Sequence, residues 1–98
     1  MNIQAMMKQA QKLQNDMMKV KNDIDSSEFE ATNGFVTVKI NGKKEPITLT
    51  IKPDADFSVD DMELLKDIIM IAINSATKKV DKEMESKMGQ FGSIPGFF

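Results

Sequence analysis

Lys8, Lys12 and Lys19 are the residues whose type and spacing first suggest chemistry. On a helix turning 100° per residue they fall within about 40° of one another, forming a stripe of ammonium groups that can meet phosphates as point charges. An ordinary solvated helix face carries the same pattern, with Asp16 and Asp23 as partial counter-charges. A second group, Lys78, Lys79 and Lys82, with Lys87 beyond it, is interleaved with Asp81, Glu83 and Glu85, so pairing within the helix competes with phosphate there. Lys78 and Lys79 precede the acids and are the better placed of that group. All 13 basic residues are lysine. Without arginine the planar fork that reads guanine is missing, which leaves charge and not base identity as the means of recognising a polyanion.

Other chemistries are excluded one by one. The 98 residues include no histidine, cysteine, tyrosine or tryptophan, so no Ser/His or Cys/His pair and no thiolate metal site can form, and no glycine loop is built to cradle phosphate. Asp54, Asp56, Asp60 and Asp61 lack the calcium-loop pattern with its internal glycine and closing glutamate. The expectation is a protein that is not an enzyme, with no cofactor and no metal. The formal charge of -2 gives no overall attraction to polyanions, so any such site is local. The start of the chain lacks the features of a secretion leader, and "IIMIAI" is too short to span a membrane. A cytoplasmic chain without cysteine fits these features.

Three kinds of element must position those lysines. Ile3, Ala10, Met17 and Ile24 recur every seven residues, as do Met6, Leu13 and Val20, an a/d seam that predicts a helix over about 3–25. "SEFEA", "FVTVKI" and "ITLTI" predict strands over about 27–31, 35–40 and 47–52. The Asn33-Gly34 and Asn41-Gly42 pairs between them are expected to supply the positive φ of tight hairpin turns. Val36, Val38 and Ile40 share one face with Ile47, Leu49 and Ile51, while Thr37, Lys39, Thr48, Thr50 and Lys52 make the other. Ser58 and Asp61 resemble a capping box opening a second helix over about 59–88. Its run from Ile68 to Ile73 is apolar nearly all round, which implies burial on more than one side.

A three-stranded sheet covers only one side of that run, and the heptad seam needs a partner of its own. The expectation is therefore an α+β fold assembled as a symmetric homodimer, with Val36, Val38, Ile40, Ile68, Ile69, Ile71, Ala72 and Ile73 as candidate interface residues. The alternative is that the first helix folds onto the second within one chain. Nine methionines, mostly in helices, read as packing more readily than as a pliable groove. Lys43 and Lys44 sit at a hairpin tip, where exposed side chains are ordinary. The tail 89–98 is glycine-rich and carries Phe91, Phe97 and Phe98, and it reads as a flexible segment or a docking peptide.

"MMKQAQKLQNDMMKVKNDI", "GFVTVKING", "MELLKDIIMIAINSATKKV" and "KMGQFGSIPGF", in this order and spacing, resemble the YbaB/EbfC family of bacterial nucleoid-associated proteins over essentially the whole chain. The resemblance implies a small intertwined homodimer with a sheet-and-helix core and protruding helical arms that binds duplex DNA in the nucleoid and influences its organisation and gene expression. It also implies a connection to recombination repair and a repair protein as a partner. The alternative, drawn from the acidic net charge, the missing arginine and the methionine-rich arms, is a protein-interaction adaptor whose helical arms or aromatic tail dock a repair or replication partner. The glycine-rich lead and helix-end arginines common in the family are absent, the lead being reduced to "MN". Candidate DNA contacts are Lys8, Lys12, Lys19, Lys78, Lys79 and Lys82, expected to reach phosphates with little sequence readout.

Overall fold

Helix α1 (Ile3–Asp25), strands β1 (Glu28–Asn33), β2 (Val36–Asn41) and β3 (Pro46–Ile51), and helix α2 (Met62–Met88) follow in chain order in a computed structural model that describes residues 2–91. Asn2 starts α1 by accepting the Ala5 N–H on its side-chain oxygen. "DSS" ends it: the Ser26 hydroxyl donates to the Asn22 carbonyl and the Ser27 hydroxyl to the Asp23 carbonyl, satisfying acceptors that the helix end leaves unpaired. A 3₁₀ turn over Val59–Asp61 leads into α2. There the Asp61 carboxylate accepts from the Ser58 N–H at 2.8 Å, and Asp60, Asp61 and Glu63 place negative charge where the helix dipole favours it. Gly89–Phe91 form a second 3₁₀ turn. The rest of the anticipated tail, with Phe97 and Phe98, lies outside the described residues.

The strands form one antiparallel meander in the order β1-β2-β3. Val36 pairs with Ile51 and Val38 with Leu49, so the apolar side chains of β2 and β3 share a face as the alternation requires. Helix α2 lies across that face over β1 and β2. Val36, Val38 and Ile40 are buried there with Ala31, Leu65, Ala72, Ala76 and Val80. The two alanines let the helix backbone approach the sheet, and each aliphatic side chain so buried contributes about 1.5–3 kcal/mol. Asn33 ties the first turn to the helix by donating to the Ile68 carbonyl at 3.2 Å. Phe35 stacks on Phe57 with ring centroids 5.7 Å apart, holding the loop after β3 against the hairpin.

The turns differ from expectation in one respect. Gly34 has positive φ, but in the second hairpin the positive φ falls on Lys44 and not on Asn41 or Gly42. The Asn41 side chain organises that longer turn, accepting from Lys43 N and Glu45 N and donating to the Glu45 carboxylate. Gly42 is required for a different reason. Its N–H donates to the Asp25 carbonyl, and a Cβ there would lie 1.9 Å from the Ile24 carbonyl oxygen, so the glycine lets the hairpin dock on the end of α1.

Helix α1 meets α2 only near its own C-terminal end, where Met17 and Ile24 are buried, Val20 is half-buried, and Met88 of α2 is buried in turn. Every residue from Asn2 to Asp16 is exposed. The molecule is 72 Å long and only 20 Å by 15 Å across. Neither helix, at about 34 Å for α1 and 40 Å for α2, spans that length, so the free end of α1 and the start of α2 lie at opposite ends.

Gly42→Ala should cost about 2 kcal/mol or more, because the new methyl must displace backbone. Gly89→Ala, where a Cβ meets nothing within 4 Å, should be neutral or slightly stabilising. Urea unfolding of the two variants beside the parent checks both.

Candidate nucleic-acid interface

Lys8 and Lys12 stand on the projecting part of α1, and Lys19 on the outer face of its packed part. Lys8, Lys12 and Lys19 are exposed, and none of them has a carboxylate partner among the described residues. From Lys8 to Lys19 the stripe covers about 16 Å of helix axis, enough to follow several phosphates of one strand, which rise 3.4 Å apart. The arm is also free of acid from Asn2 to Asn15. The opposite end of the molecule has the reverse balance, with Asp54, Asp56, Asp60, Asp61, Glu63 and Asp67 against Lys52 and Lys66. The chain's net negative charge is therefore segregated from its basic arm along the 72 Å axis.

The group on α2 divides. Lys78 and Lys82, one turn apart, point away from the sheet on the side opposite buried Val80 and have no carboxylate partner among the described residues. Lys79 is committed elsewhere: its ammonium donates to the Glu30 carbonyl on β1. Of the acids expected to pair within the helix, Asp81 is engaged elsewhere and Glu83 pairs as expected. Asp81 pairs with Lys44 of the β2–β3 turn at 2.8 Å, and Glu83 pairs with Lys87 at 3.8 Å. Lys44 thus holds the hairpin tip to α2, a role that its place at an exposed turn gave no hint of. Of the six candidate lysines, those of the stripe on α1 and the pair on α2 are exposed without a carboxylate partner among the described residues, and Lys79 is held by the sheet.

The apolar candidates also separate. Val36, Val38, Ile40 and Ala72 are buried within the single chain, beneath α2 or beneath the sheet, and have no surface left for a second subunit. Ile68 and Ile69 are half-buried at the edge of the same core. Ile71 and Ile73 remain 55% and 37% exposed, on opposite flanks of α2, and Ile73 is joined by Ile47 and Leu49 of β3 at 45% and 46%. The two β3 residues were not anticipated as interface, although the alternation that paired them with Val38 already placed them on the core face. Helix α2 does not reach across to β3, so that face stays open as a groove of about 210 Å³ between β3 and Ile73 and Thr77 of α2.

Three comparisons bear on these features. The model of the YbaB/EbfC DNA-binding family matches residues 1–93. A nucleoid-associated protein of Clostridium novyi (strain NT) is 44% identical over 100% of this chain and 90% of its own length. One of Ligilactobacillus salivarius (strain UCC118) is 38% identical over 98% of this chain and 94% of its own. The crystal structure of an uncharacterized protein from Helicobacter pylori has the same fold, with a TM-score of 0.74 at 17% identity over 95% of this chain and 99% of that one.

Lys79→Met keeps the aliphatic stem but removes the donor to the Glu30 carbonyl, and it should lower stability by about 1 kcal/mol. Lys78→Met, which breaks no such bond, should stay within about 0.5 kcal/mol of the parent. Thermal unfolding of the two variants distinguishes a tether from a solvated charge.

Proposed function

The chain belongs to the YbaB/EbfC DNA-binding family, a family of bacterial nucleoid-associated proteins, and on that footing we propose that it coats duplex DNA as a homodimer through lysine-to-phosphate contacts with little sequence readout. The observation that carries this reading is the exposed stripe of Lys8, Lys12 and Lys19, which have no carboxylate partner among the described residues, with Lys8 and Lys12 on a stretch free of acid. Lys78 and Lys82 extend the basic surface. A chain of net charge -2 can bind a polyanion when its carboxylates sit far along the molecule, because charges more than a Debye length apart, about 8–10 Å, are largely screened from one another. Without arginine there is no bidentate contact to guanine, which supports binding set by the backbone. In this reading the protein affects nucleoid organisation and gene expression by occupying DNA.

The open face of β3 supports the homodimer. Ile47, Leu49 and Ile73 form an apolar surface continuous with the core, and a second copy related by a two-fold axis would cover the same surface on both subunits. Each dimer would then carry two basic arms.

The affinity for a labelled duplex, read by fluorescence anisotropy, should fall steeply with salt. A dimer engaging about six phosphates gives a slope near -5 in log affinity against log salt. Lys8/Lys12/Lys19→Gln should flatten that slope and weaken binding at least tenfold at low salt, and binding that ignores salt would contradict the reading. Leu49→Asp should shift the protein from dimer to monomer in sedimentation velocity without loss of helical signal, since it places a charge in the groove and not in the monomer core.

A further inference from the structure

The exposed half of α1 carries a second message besides its lysines. Ile3, Met6 and Leu13 are 68%, 55% and 40% exposed, and with Ala10 they continue the heptad seam whose Met17 and Ile24 are already packed against α2. The seam is thus an interface used over its C-terminal part and left open over its N-terminal part. A helical stretch of some 14 residues with no neighbour is marginal in water, so the open part is where a further helix gains most by packing.

We propose that this seam binds the same seam of a second copy, antiparallel, linking two molecules arm to arm. The sequence is self-complementary in that arrangement. Centred on Lys8, an antiparallel pair places Ile3 opposite Leu13 and Met6 opposite Ala10, then Ala10 opposite Met6 and Leu13 opposite Ile3, four successive layers in which a and d positions meet. Large side chains face small ones in the two central layers. The flanking e and g positions, which set partner choice through charge, are Met7, Gln9 and Gln14 over this stretch, so an identical helix meets no like-charge repulsion. Lys8 and Lys12 lie at f and c positions on the outer face and remain open to phosphate. The joint is therefore compatible with bound DNA, and it connects separate DNA-coating units into a bridge. It does not depend on DNA for its own formation.

Sedimentation velocity of the full chain over a wide concentration range, without DNA, tests this. The expected result is a reversible step to twice the mass as concentration rises, from dimer to tetramer or from monomer to dimer if the β3 face does not pair. Met6→Lys/Leu13→Lys, which alters only exposed positions, should abolish that step while circular dichroism stays unchanged. Cross-linking fixes the orientation, because the chain has no cysteine of its own. Ile3→Cys/Leu13→Cys should form intermolecular disulfides on oxidation, whereas Ile3→Cys alone should not, its two thiols lying about 15 Å apart along an antiparallel pair. Efficient linkage of Ile3→Cys alone would indicate parallel pairing and overturn the proposed geometry. An absent step, or one equally strong in Met6→Lys/Leu13→Lys, would overturn the proposal and leave the seam to the chain's own terminus or to a foreign helix.

Discussion

The seating of α2 on β2 is the contact on which the rest of the structure depends. Val36, Val38 and Ile40 alternate along the strand, and Ala72, Ala76 and Val80 lie one above another along the helix, so a flat apolar surface meets a narrow small-residue stripe. Close approach there fixes the helix over β1 and β2 and leaves β3 uncovered. The same placement carries the far end of α2 out to Glu83, Lys87 and Met88, beyond the sheet, where it supports the base of α1. One packing decision therefore creates both the open apolar face and the projecting basic arm.

The proposed function rests on where charge is placed along the molecule. Two ion pairs fasten elements together, Lys44 to Asp81 and Lys39 to Glu28, and a third, Lys87 to Glu83, lies within α2. Such exposed pairs contribute little stability each. The arm, lacking acids before Asp16, leaves Lys8 and Lys12 without a carboxylate partner among the described residues. A chain with more acid than base thereby presents a basic surface at one end.

Much of this was legible in the sequence because it is periodic. The heptad of α1, the alternation in β2 and β3 and the acid-rich start of α2 each repeat or cluster within a few residues, and physical rules of short range read them. What escaped depends on contacts between distant residues. Gly42 looked like a hairpin glycine, yet its necessity comes from the Ile24 carbonyl. Lys79 looked like a free cation until the fold brought Glu30 beneath it. The interface candidates on β2 were chosen for apolarity alone, and only the sideways position of α2 decides that β2 is consumed by the core while Ile47 and Leu49 are not. Of the candidate DNA site, the stripe on α1 was readable from spacing; its separation from the acidic end was not, since it depends on how the two helices extend from their contact.

The central claim is that DNA engages the basic arm and avoids the acidic end. Backbone amide resonances followed by NMR while a short duplex is titrated at low salt test it most directly. Graded shifts concentrated between Ala5 and Lys21, with Asp54 to Asp67 unmoved, are the predicted result. Shifts centred on the acidic end, or none at all, would contradict it.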